Sequence, residues 1–116
     1  MQLIESRRNE SADQYIVKQD FQYAGDDFWD WSIWVEAEPE YLDAIEHVIY
    51  NLHYTFPEPV QIRRDPQDNF RLRTSGWGIF TIYIKIMFKD QSILDLEHEL
   101  VLEYPEGHEG LDVFSE

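Results

Sequence analysis

The sequence has no cysteine and few basic residues. The lack of cysteine excludes disulfide bonds, thiolate catalysis and Cys-based zinc sites. Nine Lys and Arg residues stand against 24 Asp and Glu residues, and the formal net charge is −15. Because so acidic a chain has few cations with which to neutralise phosphates, we expect it to bind neither nucleic acid nor an anionic membrane.

Long apolar runs are also missing, since none approaches the roughly 20 residues of a membrane-spanning helix. The N-terminus has no apolar core, so no secretory signal is visible and we expect a cytoplasmic protein. What the chain does have is aromatic residues, which make up 16% of its 116 residues. That content predicts a folded core, and the length suggests one domain.

The few cations are concentrated in one part of the chain. Residues 61–89 carry 6 bases and 2 acids, and the segments on both sides are strongly acidic. This middle segment holds two pairs of arginines, which are Arg63 with Arg64 and Arg71 with Arg73. We expect them to meet the acidic segments across neighbouring strands rather than to form a nucleic-acid site.

Period-two alternation of apolar residues predicts β-strands along most of the chain. The pattern is clearest in residues 29–36, 79–88 and 94–102. Residues that favour turns, such as Gly, Pro, Asp and Asn, lie between these segments and several shorter ones. About seven to eight short antiparallel strands in a chain of this length predict an all-β protein with an immunoglobulin-like β-sandwich fold.

Residues 41–53 are ambiguous on pattern alone. Apolar residues recur there at the i, i+3, i+4 and i+7 spacing of a helix, which the pattern slightly favours. The same segment also fits a short loop followed by a strand in which Val48, Tyr50 and Leu52 point inward.

The chain is predicted to have three parts. Residues 1–12 are polar and without periodicity, which indicates a flexible N-terminal lead-in. Residues 13–104 form the sandwich domain. Residues 105–116 form an acidic C-terminal tail, which we expect to be flexible.

Few residues suggest catalysis or a metal site. Of the four histidines, His98 lies between two glutamates, Glu97 and Glu99, and could supply a metal ligand, but neighbouring strand residues point to opposite faces. No nucleophile elbow is present, and Gly76-Trp77-Gly78 lacks the spacing of a phosphate-binding loop. We therefore expect no enzymatic activity, no metal and no cofactor.

Two short segments at predicted strand ends are rich in aromatic and small polar residues. They are Leu52-His53-Tyr54-Thr55-Phe56-Pro57 and Gly76-Trp77-Gly78-Ile79-Phe80. The predicted strand Trp31-Ser32-Ile33-Trp34-Val35 precedes both of them in the chain. The three segments in this order resemble the YEATS domain, a β-sandwich best known as a reader of acylated lysine. The resemblance covers roughly residues 29–102, and the chain looks closer to the prokaryotic YEATS-like group. The resemblance favours a strand over a helix at residues 45–53.

The resemblance implies a ligand site for a flat acyl-amide on a basic peptide partner. Phe56 and Trp77 would form its two walls, and Phe28 a third. Thr55 would meet the amide with its hydroxyl, and His53 would orient the first loop or line the channel. Backbone amides around Gly76, Trp77 and Gly78 would complete the hydrogen bonds.

A second interpretation remains open. The same aromatics could serve packing alone, and a YEATS-like protein-protein interaction domain could bind its partner through another surface. The sequence does not fix the oligomeric state.

Overall fold

Two antiparallel β-sheets form the body of the molecule in a computed structural model, which describes residues 13–107 and the backbone of residues 114–115. The elements in chain order are β1 (Ile16–Gly25), β2 (Phe28–Glu36), α1 (Pro39–Asp43), β3 (Ile45–Asn51), β4 (Val60–Arg63), a 3₁₀ helix (Pro66–Asp68), β5 (Leu72–Gly76), β6 (Gly78–Ile79), β7 (Thr81–Phe88), β8 (Ile93–Glu99) and β9 (Phe114–Ser115).

One sheet has the strand order β1-β2-β5, and the other has the order β4-β3-β7-β8. A third, two-stranded pairing joins β6 and β9 in parallel. The prediction of an all-β, immunoglobulin-like sandwich is confirmed. Seven of the strands in the described ranges have four or more residues.

The core lies between the two sheets and consists mostly of alternate strand residues. In β2 the inward residues are Trp29, Trp31, Ile33 and Val35, all of which are buried. Because successive strand side chains point to opposite faces, this alternation turns one face of β2 toward the second sheet. The facing residues of β3, β7 and β8 are Val48, Tyr50, Ile82, Ile84, Ile86 and Leu94.

Residues 41–53 contain both of the structures that the pattern allowed. Helix α1 begins with Pro39 in its first turn, where proline is tolerated, and ends at Asp43 after five residues. Strand β3 follows directly and pairs with β4 on one side and β7 on the other. The strand predicted for residues 45–53 is thus confirmed over Ile45–Asn51.

A tight turn brings the chain from β4 back to the first sheet. Asn69 and Phe70 both have positive φ angles, of 56° and 54°, which L-residues adopt at a cost. The Asn69 side chain donates to the Val35 carbonyl (2.9 Å), and the buried Tyr50 hydroxyl donates to the Phe70 carbonyl (2.6 Å). Burial raises the pKa of Tyr50, so the hydroxyl keeps the proton that it donates.

The predicted pairing of the middle arginines with the acidic segments is found for two of the four, Arg71 and Arg64, while Arg73 pairs within its own segment. Arg71 lies 3.4 Å from Asp20 and stacks over Trp34, Arg73 binds Asp68 through both terminal nitrogens, and Arg64 lies 3.2 Å from Glu46. Arg63 donates to the Ile62 carbonyl. The basic segment is therefore largely neutralised by its own chain.

Gln19 connects β1 to the segment that follows β8. Its side-chain amide exchanges two hydrogen bonds with the Val101 backbone, at 2.9 and 2.7 Å, and its Oε1 lies 2.8 Å from Nε2 of His98. Burial lowers the pKa of His98, and the neighbouring Glu99 raises it.

The predicted lead-in, residues 1–12, lies outside the described residues, as does most of the predicted tail, residues 105–116. Within the described ranges, no helix is long and apolar enough to cross a membrane.

The Tyr50 hydroxyl anchors the turn at Asn69 and Phe70 by donating to the Phe70 carbonyl, and removing the hydroxyl tests this anchoring. We expect Tyr50→Phe to lower the free energy of unfolding by about 1–3 kcal/mol, because a buried carbonyl loses its donor. Urea unfolding measures the change. The matched control is Tyr54→Phe, since Tyr54 is 82% exposed and its effect should stay within about 0.5 kcal/mol. Equal stability of the two variants would contradict the anchoring.

The His98 environment predicts a loss of stability in mild acid. With a lowered pKa in the folded state, His98 stays neutral there while the unfolded chain takes up a proton. Its contribution is therefore present above about pH 6.5 and is lost as the pH falls below that value. We expect His98→Gln to reduce the difference in urea midpoint between neutral and mildly acidic pH. An unchanged difference would contradict this assignment.

Candidate functional site

A groove of about 180 Å³ opens at one end of the sandwich, where loops from both sheets meet. Its lining residues come from three places: the start of β2, the β3–β4 loop, and the segment from the end of β5 to the residue before β7. They are Phe28, Thr55, Phe56, Pro57, Ser75, Gly76, Trp77, Gly78 and Phe80. All of them are uncharged.

The β3–β4 loop is closed by its own hydrogen bonds. Leu52 donates its backbone N–H to the Pro59 carbonyl (2.7 Å), and Phe56 donates to the His53 carbonyl (3.0 Å). Nδ1 of His53 accepts from the Thr55 backbone N–H (3.3 Å) and lies 2.9 Å from the Thr55 hydroxyl. Because a nitrogen that accepts a hydrogen bond carries a lone pair, the hydroxyl is the donor to it.

Strand pairing fixes the other side of the groove. In the register between β2 and β5, Trp29 is opposite Gly76, which places Trp77 beside the start of β2 at Phe28. Gly78 is buried and begins β6, whose parallel pairing with β9 runs next to the groove.

The aromatic walls differ in how firmly they are held. Phe56 packs edge-on against Trp31 (ring centroids 6.4 Å apart, interplanar angle 90°) and against Phe80 (5.5 Å). Trp77 is 45% exposed and Phe28 is 42% exposed. The groove thus has one wall fixed by the core and two aromatic side chains that still present surface to solvent.

Charges of both signs lie near the groove: Arg63 and Arg73 line a neighbouring pocket that shares Phe56 and Pro57 with it, and two acids adjoin it along the chain. Asp27 and Glu58 are the chain neighbours of the lining residues Phe28 and Pro57, and both are exposed. Asp27 accepts a hydrogen bond from the Tyr104 hydroxyl (2.8 Å). Across residues 13–107, no group of three or more His, Asp or Glu side chains lies close enough to hold a metal ion.

The structure brings six of the seven predicted site residues to this groove: Phe28, Thr55, Phe56, Gly76, Trp77 and Gly78. His53 is not among the lining residues and instead contacts the Thr55 hydroxyl and backbone N–H through Nδ1. Sequence reasoning missed Pro57, Ser75 and Phe80. Pro57 and Phe80 belong to the two motifs, so extending the site to the ends of both motifs would have found them.

A protein-family model of the prokaryotic YEATS domain matches residues 29–101, which is more than half of the chain. The protein AF-9 homolog of Kluyveromyces lactis is 40% identical over 78 residues, covering 62% of this chain and 34% of that protein. The AF-9 homolog of Saccharomyces cerevisiae is 36% identical over 78 residues, covering 62% and 33%. The match spans about a third of the length of these relatives.

Solved structures of YEATS domains are similar as well. The Yaf9 YEATS domain bound to H3K27ac has a TM-score of 0.60 and 28% identity, over 78% of this chain and 71% of that chain. The Yaf9 YEATS domain recognising an H3K122suc peptide has a TM-score of 0.57 and 30% identity, over 76% and 68%. The resemblance carried by the two loop motifs is confirmed, and the chain belongs to the prokaryotic YEATS domain family.

Proposed function

We propose that this chain is a non-catalytic binding module that recognises acylated lysine on a basic peptide through the end groove. The observation that carries the proposal is that Phe56 and Trp77 both line one uncharged groove. Apolar cavities of about 150 Å³ hold a benzene-sized ligand, so a groove of about 180 Å³ has room for a flat amide and a short acyl chain.

Stacking would supply the recognition of the amide plane. An acylated lysine is neutral and ends in a planar amide, and aromatic faces on both sides add about 0.5–1.5 kcal/mol per contact beyond simple burial. Phe56 is held in place by the core, and the exposed face of Trp77 is available to a ligand.

Hydrogen bonding would fix the orientation of the ligand. Because the Thr55 hydroxyl donates its proton to His53, its oxygen lone pairs remain to accept from the N–H of the acyl amide. This assigns His53 a positioning role behind Thr55. Backbone N–H groups near Trp77 and Gly78 would serve the amide carbonyl.

The charge of the chain favours a basic partner. The net charge is −15, and the acids Asp27 and Glu58 adjoin the groove residues. Acylation removes one charge from a lysine-rich peptide and leaves its other cations for long-range attraction. The related YEATS domains bound to H3K27ac and H3K122suc support a peptide partner. We propose no role for nucleic acid, membrane or cofactor, and a cytoplasmic location.

One observation supports the alternative of a structural aromatic cluster. Phe56 packs on both Trp31 and Phe80, as a residue closing the core would. In that case the groove would be a by-product of packing, and the chain would bind its partner elsewhere. Trp77 distinguishes the two functions, because a side chain that is 45% exposed contributes little to the core.

Peptide titration of wild type and Trp77→Ala tests the reader. We expect acetyl-lysine and crotonyl-lysine peptides to bind wild type and the unmodified peptide to bind far more weakly. Trp77→Ala should weaken acyl-peptide binding by about 1–3 kcal/mol, or about fivefold to a hundredfold in Kd. The control is Tyr83→Ala, another exposed aromatic that lies on the outer face of the second sheet. Equal binding of all three peptides, or of none, would contradict the reader and favour the structural alternative.

The charge argument predicts that salt weakens the binding of a basic peptide but not the binding of an uncharged ligand. Between about 0.1 M and about 1 M salt the Debye length falls from about 10 Å to about 3 Å. Affinity for a basic acylated peptide should fall over this range, while affinity for isolated, uncharged acetyl-lysine amide should change little. Duplex DNA should not be retained at physiological salt. Equal salt dependence of the two ligands, or retention of DNA, would argue against this prediction.

A further inference from the structure

Arg63 is the only arginine of the middle segment that has no carboxylate partner among residues 13–107. The other three each form an ion pair within the chain: Arg64 with Glu46, Arg71 with Asp20 and Arg73 with Asp68. Arg63 instead donates from Nη1 to the Ile62 carbonyl (2.8 Å). In a chain with 24 acids and only 9 Lys and Arg residues, a cation without an acid beside it calls for an explanation.

The guanidinium of Arg63 keeps donors for a further partner. An arginine has five N–H donors in a planar fork that matches the two oxygens of a carboxylate. Within the part of the chain that the structure describes, Arg63 uses one of them. Its side chain is half-buried, so solvent and salt would screen an ion pair there less than one on the open surface.

Arg63 lines a pocket of about 280 Å³ that adjoins the end groove. The two cavities share Phe56 and Pro57, so a ligand in one lies next to the other. The charged residues that line the pocket are Glu58, Arg63 and Arg73. Because Asp68 already holds both terminal nitrogens of Arg73, Arg63 is the cation that can bind a ligand there.

Strand β5 runs along both cavities. Its residues Ser75 and Gly76 line the groove, and residues 72–74, which precede them, line the pocket. Among the described strands β5 pairs with β2 alone, so its other edge is open to the extended peptides that bind at such edges. An extended chain advances about 3.3 Å per residue. A peptide with its acyl-lysine in the groove would therefore reach the pocket within about two or three residues.

We propose that Arg63 binds an acidic side chain of the peptide, two or three residues from the acyl-lysine. The inference rests on the proposed function and narrows its ligand to a peptide that is basic overall but carries an Asp or Glu near the acyl-lysine. Glu58 lines the same pocket and opposes an anion there, so the attraction has to come from Arg63. The selectivity is local and opposite in sign to that of the whole chain, whose net charge is −15.

A charge scan along one acetyl-lysine peptide tests this subsite. The peptide has uncharged residues around the acetyl-lysine and lysines farther away, and Glu, Gln or Lys is placed in turn two or three residues before or after the acetyl-lysine. Affinity for the whole chain is measured by calorimetry. Long-range attraction alone predicts that Lys binds most tightly and Glu least tightly at every position.

We expect the reverse order on one side of the acetyl-lysine. There the Glu peptide should bind about threefold to tenfold more tightly than the Gln peptide, which is the effect of one half-buried ion pair. The Lys peptide should bind least tightly at that position. On the other side of the acetyl-lysine, the order should follow the net charge of the chain.

Arg63→Gln and Arg64→Gln form a matched pair of variants. They change the net charge by the same amount at adjacent positions, but Arg64 is exposed and already bound to Glu46. We expect Arg63→Gln to lose the preference for Glu over Gln and Arg64→Gln to keep it. Glu58→Gln, a change in the exposed loop, should increase the preference and gives a second readout if Arg63→Gln does not fold.

A carboxylate at the end of the acyl chain is the other source of the same chemistry, and a succinyl-lysine peptide without a nearby acid distinguishes the two. The proposal is overturned if Arg63→Gln weakens succinyl-lysine binding and leaves the preference for Glu unchanged. It is also overturned if Glu is never preferred to Gln, or if both arginine variants lose the preference alike. In these cases the acyl-lysine reader still stands. Failure of wild type to bind any acyl-lysine peptide overturns both proposals.

Discussion

The contact of Trp31 with Phe56 and Phe80 is the interaction on which the end groove depends. Trp31 belongs to the first sheet, and Phe56 lies in the loop between β3 and β4 of the second sheet. Phe80 is the residue just before β7. These three rings join the two sheets at the end where both loop motifs emerge. Phe56 packs edge-to-face against the buried Trp31 ring, so one wall of the groove is held in place by the core.

Much of the fold could be predicted because period-two patterns survive wherever a strand has one buried face. Strands β2 and β7 alternate in this way, and their bounds agree closely with the pattern. Residues 41–53 resisted because Leu42, Ile45 and Val48 recur at helical spacing, while Val48, Tyr50 and Leu52 alternate with the period of a strand. Pairing of β3 with β4 and β7 decides in favour of a strand, and β7 lies far from β3 in sequence.

The candidate site was predictable to the extent that its residues sit in two short motifs. Six of the seven predicted residues, which lie in those motifs and at the start of β2, line one groove. For His53 the sequence left open whether the side chain orients the first loop or lines the channel, because a sequence cannot distinguish a residue that faces a ligand from one that contacts Thr55. The Trp31 N–H, which has no hydrogen-bond partner among residues 13–107, could not be predicted to lack one, because hydrogen bonding depends on every neighbour in space.

The net charge of the chain acts at long range, whereas the groove would act on a ligand only at contact distance. The arginines of the middle segment are mostly paired within the chain, so they leave the acidic excess unopposed at long range. None of the described side chains that line the groove is charged, so under the proposed function selection there would depend on shape, stacking and single hydrogen bonds. A lysine that keeps its charge would be drawn to the surface but would lose its hydration in the groove without a compensating partner. Neutralisation by acylation would remove that cost, so under the proposed function an acidic protein with an uncharged groove would discriminate between two forms of the same basic peptide.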